Sequence, residues 1–186
     1  MQIPIMTINQ HTYNLGKKYS CSFALILAAM FIFIGCKDDV TSPEDPEEKG
    51  IEKLRQATDR YHDVEVAIED GFVQADPCVE NQEGSGAIGI PYVNMDRLDT
   101  TIDLNKPEVL FYEPQQDGDL RLVGAEPVVP LEAWDEKESD PPSLFGHEFH
   151  RNEADGLYGL HMWIWKENPA GTISFWHTDI SCEYTE

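Results

Sequence analysis

The feature that most constrains this chain is an apolar stretch near its N-terminus. Residues 23–34 are all apolar, two lysines at positions 17 and 18 precede them, and Gly35-Cys36 follows. A basic segment, an apolar stretch and a small residue in this order are typical of a signal peptide. The stretch is much shorter than the roughly 20 residues that a membrane-spanning helix requires. We therefore expect residues 1–35 to be a signal peptide and the rest of the chain to fold outside the cytoplasm.

The residues around the end of this stretch indicate how the mature chain is anchored. Gly35-Cys36 resembles the lipobox of bacterial lipoproteins, in which a small residue precedes the cysteine that carries the lipid. The alternative is an ordinary secretory signal that ends near a cysteine. Residues 37–39, Lys-Asp-Asp, resemble the export signal of bacterial surface lipoproteins. The resemblance implies a cell-envelope protein, held in the outer membrane by acyl chains such as palmitate on Cys36 and exposed at the surface.

Charge limits the partners of the mature chain. Residues 1–35 contain two lysines and no acidic residue, so the formal charge of −22 becomes −24 when they are removed. Such acidity disfavours nucleic acid and an anionic membrane surface as partners. Membrane attachment is therefore expected through the lipid alone. Residues 36–50 are acidic and poor in apolar side chains, which predicts a flexible tether. Residues 51–186 are long enough for one globular domain.

The pattern of apolar residues predicts an α+β fold. A stripe with spacings of three and four begins at Ile51 and ends at Ile68, which predicts one long helix capped by Gly71. The rest of the domain shows only short extended runs. Residues 87–93 form one strand, with Pro91 indicating an edge or a bulge. The expected fold is a long N-terminal helix packed on an antiparallel sheet built from hairpins.

Two hairpins and one long loop account for the remaining segments. Residues 108–113 and 120–129 flank an Asp-Gly turn and predict the first hairpin. Residues 160–166 and 172–177 flank Asn-Pro-Ala-Gly and predict the second. Between them, residues 132–159 are polar and rich in proline and glycine, which indicates a long loop.

Histidines are concentrated in this loop and the strand that follows. His147, His150 and His161 lie within fifteen residues of one another, and Glu148 and Glu153 lie between them. Imidazole and carboxylate groups together suit zinc or copper, so these five residues are a candidate metal site. Their spacing matches no named metal motif. The alternative is that the loop histidines are solvated and His161 is hydrogen-bonded within the sheet.

Aromatic residues form a second candidate site. Strand alternation predicts Trp163 and Trp165 on one face with His161, and Trp176 and His177 on the neighbouring strand. Exposed aromatic rings on a sheet could bind a sugar or an apolar ligand. The alternative is that these residues fill a second core beneath the long loop.

The cysteines are consistent with an exported protein. With Cys21 removed and Cys36 lipidated, Cys78 and Cys182 remain, and in an oxidising compartment they are expected to form a disulfide. Enzyme signatures such as a nucleophile elbow or a P-loop are missing from the sequence.

Five sequence blocks also carry a family resemblance. They are YHDVE at 61–65, PCVE at 77–80, PEVLFYEP at 107–114, LFG at 144–146 and LHMWIWK at 160–166. They resemble blocks of a family of uncharacterised bacterial exported proteins, which implies a shared fold and disulfide but no activity.

Three function classes follow from these observations. The first is a lipid-anchored surface protein with a non-catalytic binding domain, whose small-molecule or protein ligand is unidentified. The second is a metal-binding protein or metalloenzyme that uses His147, His150 and His161, with Glu148 or Glu153 as a further ligand or base. The third is a structural component of the cell envelope.

Overall fold

Short helices and antiparallel sheets make up the structure, which confirms the mixed α and β class. The computed structural model describes residues 45–185, which belong to one compact unit, residues 41–186. The predicted signal peptide and Cys36 lie outside the described residues. The helices are α1, Pro46–Thr58, α2, Val64–Glu69, and α3, Leu131–Asp135, with short 3₁₀ segments at Asp59–His62 and Met95–Arg97. None of the helices within residues 45–185 has the length and apolar character needed to cross a bilayer.

The strands pair antiparallel throughout the described residues. The largest sheet consists of β1, Val73–Gln74, β2, Val79–Glu80, β3, Ala87–Val93, β4, Val109–Pro114, and β5, Leu120–Glu126. Its order is β1-β3-β4-β5, with β2 also paired to β3. The other strands are β6, Val128–Pro130, β7, Ser143–Leu144, β8, His147–Glu148, β9, His150–Asn152, and β10, Leu157–Gly159. They form a three-stranded sheet in the order β6-β10-β9 and the β7-β8 pair.

The predicted single long helix is wrong, because the chain breaks between α1 and α2. Asp63 has an extended backbone and its side chain accepts the N–H of Glu65, so it caps the start of a second helix. The break shifts the buried positions of the second helix. Ala67 is fully buried there, whereas Ile68, the last residue of the predicted stripe, is 44% exposed. Gly71 ends this helix with a positive φ of 93°, as its predicted role as the cap requires.

The helical region also begins earlier than the predicted domain start at residue 51. Asp45 accepts the N–H of Glu47, and Pro46 occupies the first turn of α1. Proline suits this position because the first N–H groups of a helix have no partner within it. Part of the predicted tether, from Pro46 onward, is therefore helical.

The first predicted hairpin is confirmed, and β4 and β5 form it. The second is only partly regular. Met162 pairs with Ile173 in an isolated bridge, and Trp163 N–H donates to the carbonyl oxygen of Thr172 at 2.8 Å, but regular strands do not form there. Pro91 lies inside β3, where its carbonyl accepts from Ala75 N–H. The nitrogen of Pro91 points to the same side as this carbonyl, toward the gap between the short strands β1 and β2. The hydrogen bonds between β3 and β4 therefore do not need an N–H at Pro91.

The prediction of one long loop at residues 132–159 is wrong. This segment contains most of α3 and the strands β7 to β10. A tight turn at Phe145-Gly146, both with positive φ, joins β7 to β8. Sequence reasoning missed these strands because each has only two or three residues, too few to show an alternating pattern.

The two faces of the five-stranded sheet pack in different cores. Leu110 and Tyr112 of β4 pack in the core that contains the helices, whereas Val109 and Phe111 pack in a second core with Trp163. The Cys78–Cys182 disulfide is confirmed and closes a loop of 104 residues. Closing a loop of this length stabilises the fold by about 4 kcal/mol in the chain-entropy model.

Glu108 is a buried acid next to this second core. It is 3% exposed, and its Oε2 accepts the N–H of Val128 at 3.0 Å. Burial raises the pKa of Glu108 to about 7, against the lowering effect of that N–H. The folded state therefore keeps a proton that the unfolded chain releases near pH 4.5.

We expect the stability of the wild-type domain to fall relative to Glu108→Gln as pH rises. The contribution of the Glu108 proton is fully present below pH 4.5 and is lost as pH passes through about 7. From pH 5 to pH 8 the difference in unfolding free energy should change by roughly 2–3 kcal/mol in favour of the variant. Urea unfolding of both proteins at the two pH values measures it. An unchanged difference would contradict the burial effect.

Candidate metal centre

Glu126, His150 and His161 direct one ligand atom each toward a common point. The Nε2 atom of His161 lies 3.2 Å from Oε1 of Glu126, and the Nε2 atom of His150 lies 3.4 Å from the same oxygen. All three atoms lie within 4.8 Å of one another. Among the described residues this is the group of histidine, cysteine and acidic side chains whose geometry could hold a metal ion.

The two distances fit the edges of a tetrahedral metal site. Zinc bonds to nitrogen and oxygen at 2.0–2.2 Å, so tetrahedral ligand atoms are separated by about 3.3–3.5 Å. The separations at Glu126 are 3.2 and 3.4 Å. Both contacts of Glu126 therefore suit a shared ion, and the two nitrogens lie within 4.8 Å of each other.

A backbone bridge aligns two of the three ligands. Ala125 and Met162 exchange both of their backbone hydrogen bonds, each at 3.0 Å. Glu126 and His161 are the chain neighbours of this pair, so their side chains leave the bridge on the same face. That face is also the one on which Phe111 packs, and its ring centroid lies 4.8 Å from that of His161.

The three-stranded sheet supplies the third ligand. His150 begins β9 and is paired with Gly159 of β10. A Cβ atom on Gly159 would lie 1.9 Å from Oε1 of Glu126 and 3.2 Å from Cε1 of His150. Glycine is therefore required at this position for the carboxylate to approach the histidines.

A hydrogen bond to the backbone fixes the orientation of the His161 ring. Its Nδ1 atom lies 2.6 Å from the carbonyl oxygen of Phe175, which can only accept a hydrogen bond. Nδ1 therefore carries a proton, and a neutral His161 presents the lone pair of Nε2 to Glu126. Metal-binding histidines commonly donate their second nitrogen to a carbonyl in this way. Without a metal, the carboxylate could accept an N–H from each ring, which requires a doubly protonated His161.

The burial of the centre favours neutral imidazole at His150. The side chains of His161 and Glu126 are 5% and 10% exposed, and that of His150 is 25% exposed. Burial lowers the pKa of His150, and the neighbouring His161 lowers it further, while Glu126 opposes the change. Imidazole binds a metal only in its deprotonated form.

The structure does not bring the other predicted metal ligands into this group. His147 lies in β8 with its Nε2 3.9 Å from Oε2 of Glu47 on α1. Glu148 is exposed in the same strand. Glu153 accepts a hydrogen bond from Nε of Arg151 at 2.6 Å. The predicted site therefore keeps only His150 and His161 of its five members.

The predicted tryptophan face is divided between different parts of the domain. Trp163 is 2% exposed and its indole N–H donates to Ser174. Trp165 instead turns toward α1, where it donates to Thr58. His177 is fully buried, and Trp176 contacts Phe175. The segment does not continue as a regular strand, so the assumed alternation fails.

Sequence reasoning missed Glu126 as a ligand. A signal was present, because Glu126 interrupts an otherwise apolar run at residues 122–129. Ionised carboxylates are rarely buried without a partner, so an acid in a buried strand indicates a nearby cation or donor.

Two cavities meet at the centre. One, of about 510 Å³, is lined by His147, Glu148, His150, His161 and Phe175, among others. The other is a groove of about 760 Å³ that shares His150, His161 and Phe175 and adds Glu126 and Trp176. The centre is therefore reached from a solvent-connected space on each side.

No family model, no curated protein and no solved structure matches this chain. The resemblance to a family of uncharacterised exported proteins stays a prediction.

We expect Gly159→Ala to destabilise the domain by about 1–3 kcal/mol, the usual cost of overpacking. The cause would be the clash with Glu126, since β10 is otherwise an ordinary strand. In a Glu126→Ala background the cost should shrink by at least about 1 kcal/mol. Urea unfolding of the four proteins measures this coupling. Gly84→Ala, in an exposed turn, is the control. Equal costs in both backgrounds would contradict the observed contact.

Proposed function

We propose that the mature domain is an exported metal-binding protein that holds one transition-metal ion at Glu126, His150 and His161. The observation that carries the proposal is the convergence of three ligand atoms at separations that suit metal bonds. The glycine contact at Gly159 and the Phe175 hydrogen bond support it, because both fix the ligands in position.

Zinc is the ion that this ligand set suits best. Two imidazole nitrogens and one carboxylate oxygen form a common zinc site with three protein ligands, which leaves the fourth position to water or a ligand. Structural zinc sites normally have four protein ligands. A site with three protein ligands instead favours an ion whose fourth position exchanges water for another ligand. Iron(II) also binds two histidines and one carboxylate, and copper binds such sites tightly. Metal analysis must therefore cover all three.

This proposal accounts for the structure better than the predicted tryptophan-lined binding surface. Trp163 and Trp165 belong to different cores, so they offer no shared surface. Trp176 and Phe175 remain near the metal centre, where they line the groove. A purely structural envelope role would leave the convergence of a buried carboxylate and two histidines unexplained.

We expect close to one metal ion per chain in the domain from Lys37 onward, secreted into an oxidising compartment without a histidine tag. Each of Glu126→Gln, His150→Ala and His161→Ala removes a ligand and should lower zinc affinity by at least about 100-fold. Mass spectrometry of metal content and competition with a chromogenic chelator measure the two quantities.

The controls are His147→Ala and Glu153→Gln, which should retain the metal. Formation of the Cys78–Cys182 disulfide and an unchanged circular dichroism spectrum show that a variant is folded. The proposal fails if the wild-type domain takes up no zinc, copper or iron, or if His147→Ala loses metal as fully as His150→Ala.

We further propose that a lipid on Cys36 holds this domain at the bacterial cell envelope. The supporting observation is Gly35-Cys36 at the end of the apolar stretch, followed by a chain of high negative charge that gives a membrane surface no electrostatic attraction.

Metabolic labelling with an alkyne-tagged palmitate should mark the full chain and leave Cys36→Ala unlabelled. Fractionation should find the wild-type protein with membranes, because stable anchoring requires more than one acyl chain and a lipoprotein cysteine offers several. Equal labelling of the two chains would rule out Cys36 as the lipid site.

A further inference from the structure

The groove beside the metal centre contains an apolar row that runs straight to a metal ligand. Val73 of β1 pairs with Val93 of β3, Val93 with Val109 of β4, and Val109 with Glu126 of β5. All four residues line the groove. Adjacent strands are about 4.8 Å apart, so the row extends about 14 Å from the outer valine to the carboxylate.

The outer part of this groove is an uncovered apolar surface. Three of the five large hydrophobic residues that are exposed within residues 45–185 line the groove: Val73 and Met95, at 59% and 62%, and Phe175, at 47%, which lies beside the metal centre. A concave apolar surface with a polar group at one end is the usual form of a small-molecule site.

Charge distinguishes the two ends of the groove. Asp76, which follows β1, lines the groove as an exposed residue and would repel an anion at the outer end. Asp155, in the turn between β9 and β10, is a second exposed acid of the lining. A divalent ion at Glu126, His150 and His161 would carry a net charge of about +1 after the one carboxylate is counted, with a coordination position open. An anionic oxygen donor is therefore favoured at the metal end alone.

We infer that the metal centre and the groove form one site for an amphiphilic carboxylate, whose oxygen binds the metal and whose apolar chain lies along Val109, Val93 and Val73. This inference rests on the proposed metal binding. It adds a ligand class, a carboxylic acid with an extended hydrocarbon chain, and an orientation within the site. The chain would contact the valine row by apolar burial, so binding should strengthen with each methylene group removed from water.

The test compares dodecanoate with acetate as ligands of the zinc-loaded domain from Lys37 onward. Calorimetry below the micelle concentration should show that dodecanoate binds at least tenfold more tightly than acetate. Cobalt-substituted protein should change its visible spectrum when dodecanoate is added, because the carboxylate enters the metal's coordination shell. Removing the metal with a chelator should weaken dodecanoate binding at least tenfold.

A groove variant separates the role of the apolar row from that of the metal. Val73→Asp places a charge at the outer end of the row, on a side chain that is already exposed, and should weaken dodecanoate binding at least tenfold while zinc content is unchanged. Ile68→Asp is the matched control, because Ile68 is an exposed apolar residue that does not line the groove.

The outcomes distinguish the two proposals. If the domain holds no metal, the proposed function fails, and the ligand inference with it. If zinc binds but dodecanoate shows no advantage over acetate, only the inference is overturned. Dodecanoate binding that is unchanged by metal removal, or by Val73→Asp, would overturn it as well.

Discussion

Strand β4, which lies between β3 and β5 in the sheet, is buried on both faces, and the rest of the domain is arranged to cover it. Every residue of β4 is buried, from Val109 to Pro114. One face is covered by α1, α2 and the 3₁₀ segment between them, where the hydroxyl of Tyr112 donates to the carbonyl of Tyr61. On the other face, the C-terminal segment at residues 157–180 covers part of the sheet, where its Trp163 and Ile180 pack with Val109 and Phe111. Met162 of this covering segment pairs with Ala125 of β5, and this pairing places His161 beside Glu126.

Polar groups in this second layer are retained although burial disfavours them. Glu108, Glu126, His161 and His177 are each less than 9% exposed as whole residues. Burial raises the pKa of Glu108, so its carboxyl group stays protonated at acidic pH, and it also accepts a backbone N–H. His177 accepts the N–H of Asp179 through Nδ1, so Nε2 carries its proton without a hydrogen-bond partner among the described residues. The ring of Trp163 packs against that of His177 nearly perpendicular, with 5.2 Å between the ring centroids.

Glu126 differs from these groups because the atoms next to its Oε1 are the Nε2 atoms of two histidines. It faces two ring nitrogens, one of which belongs to a histidine whose other nitrogen is already protonated. A proton, on Nε2 of His161 or on the Glu126 carboxyl, or a metal ion must lie between the nitrogen and the oxygen. A proton joins two atoms, whereas a metal ion could join all three, which lie within 4.8 Å of one another.

The sequence predicted those features that depend on residues close together in the chain or on the redox compartment. The Gly71 cap, the first hairpin and the disulfide each depend on a few residues or on the redox compartment, and all three are present. The helix break was missed because an apolar stripe has the same spacing whether one helix or two carries it. The failure at Trp165 has another cause: alternation holds only in a regular strand, and the covering segment is irregular there.

Two of the three ligands of the candidate metal centre could be found from sequence, and the physical reason lies in how the ligands are separated along the chain. His150 and His161 are eleven positions apart and join through one strand, so their clustering was visible. Glu126 reaches them only through the Ala125–Met162 bridge, a contact across 37 residues that no local pattern encodes. What the sequence did contain was an acid inside an apolar run and a glycine at position 159. Each is unfavourable in a strand by itself, and each is accounted for by the other, because the glycine provides the space that the buried carboxylate occupies.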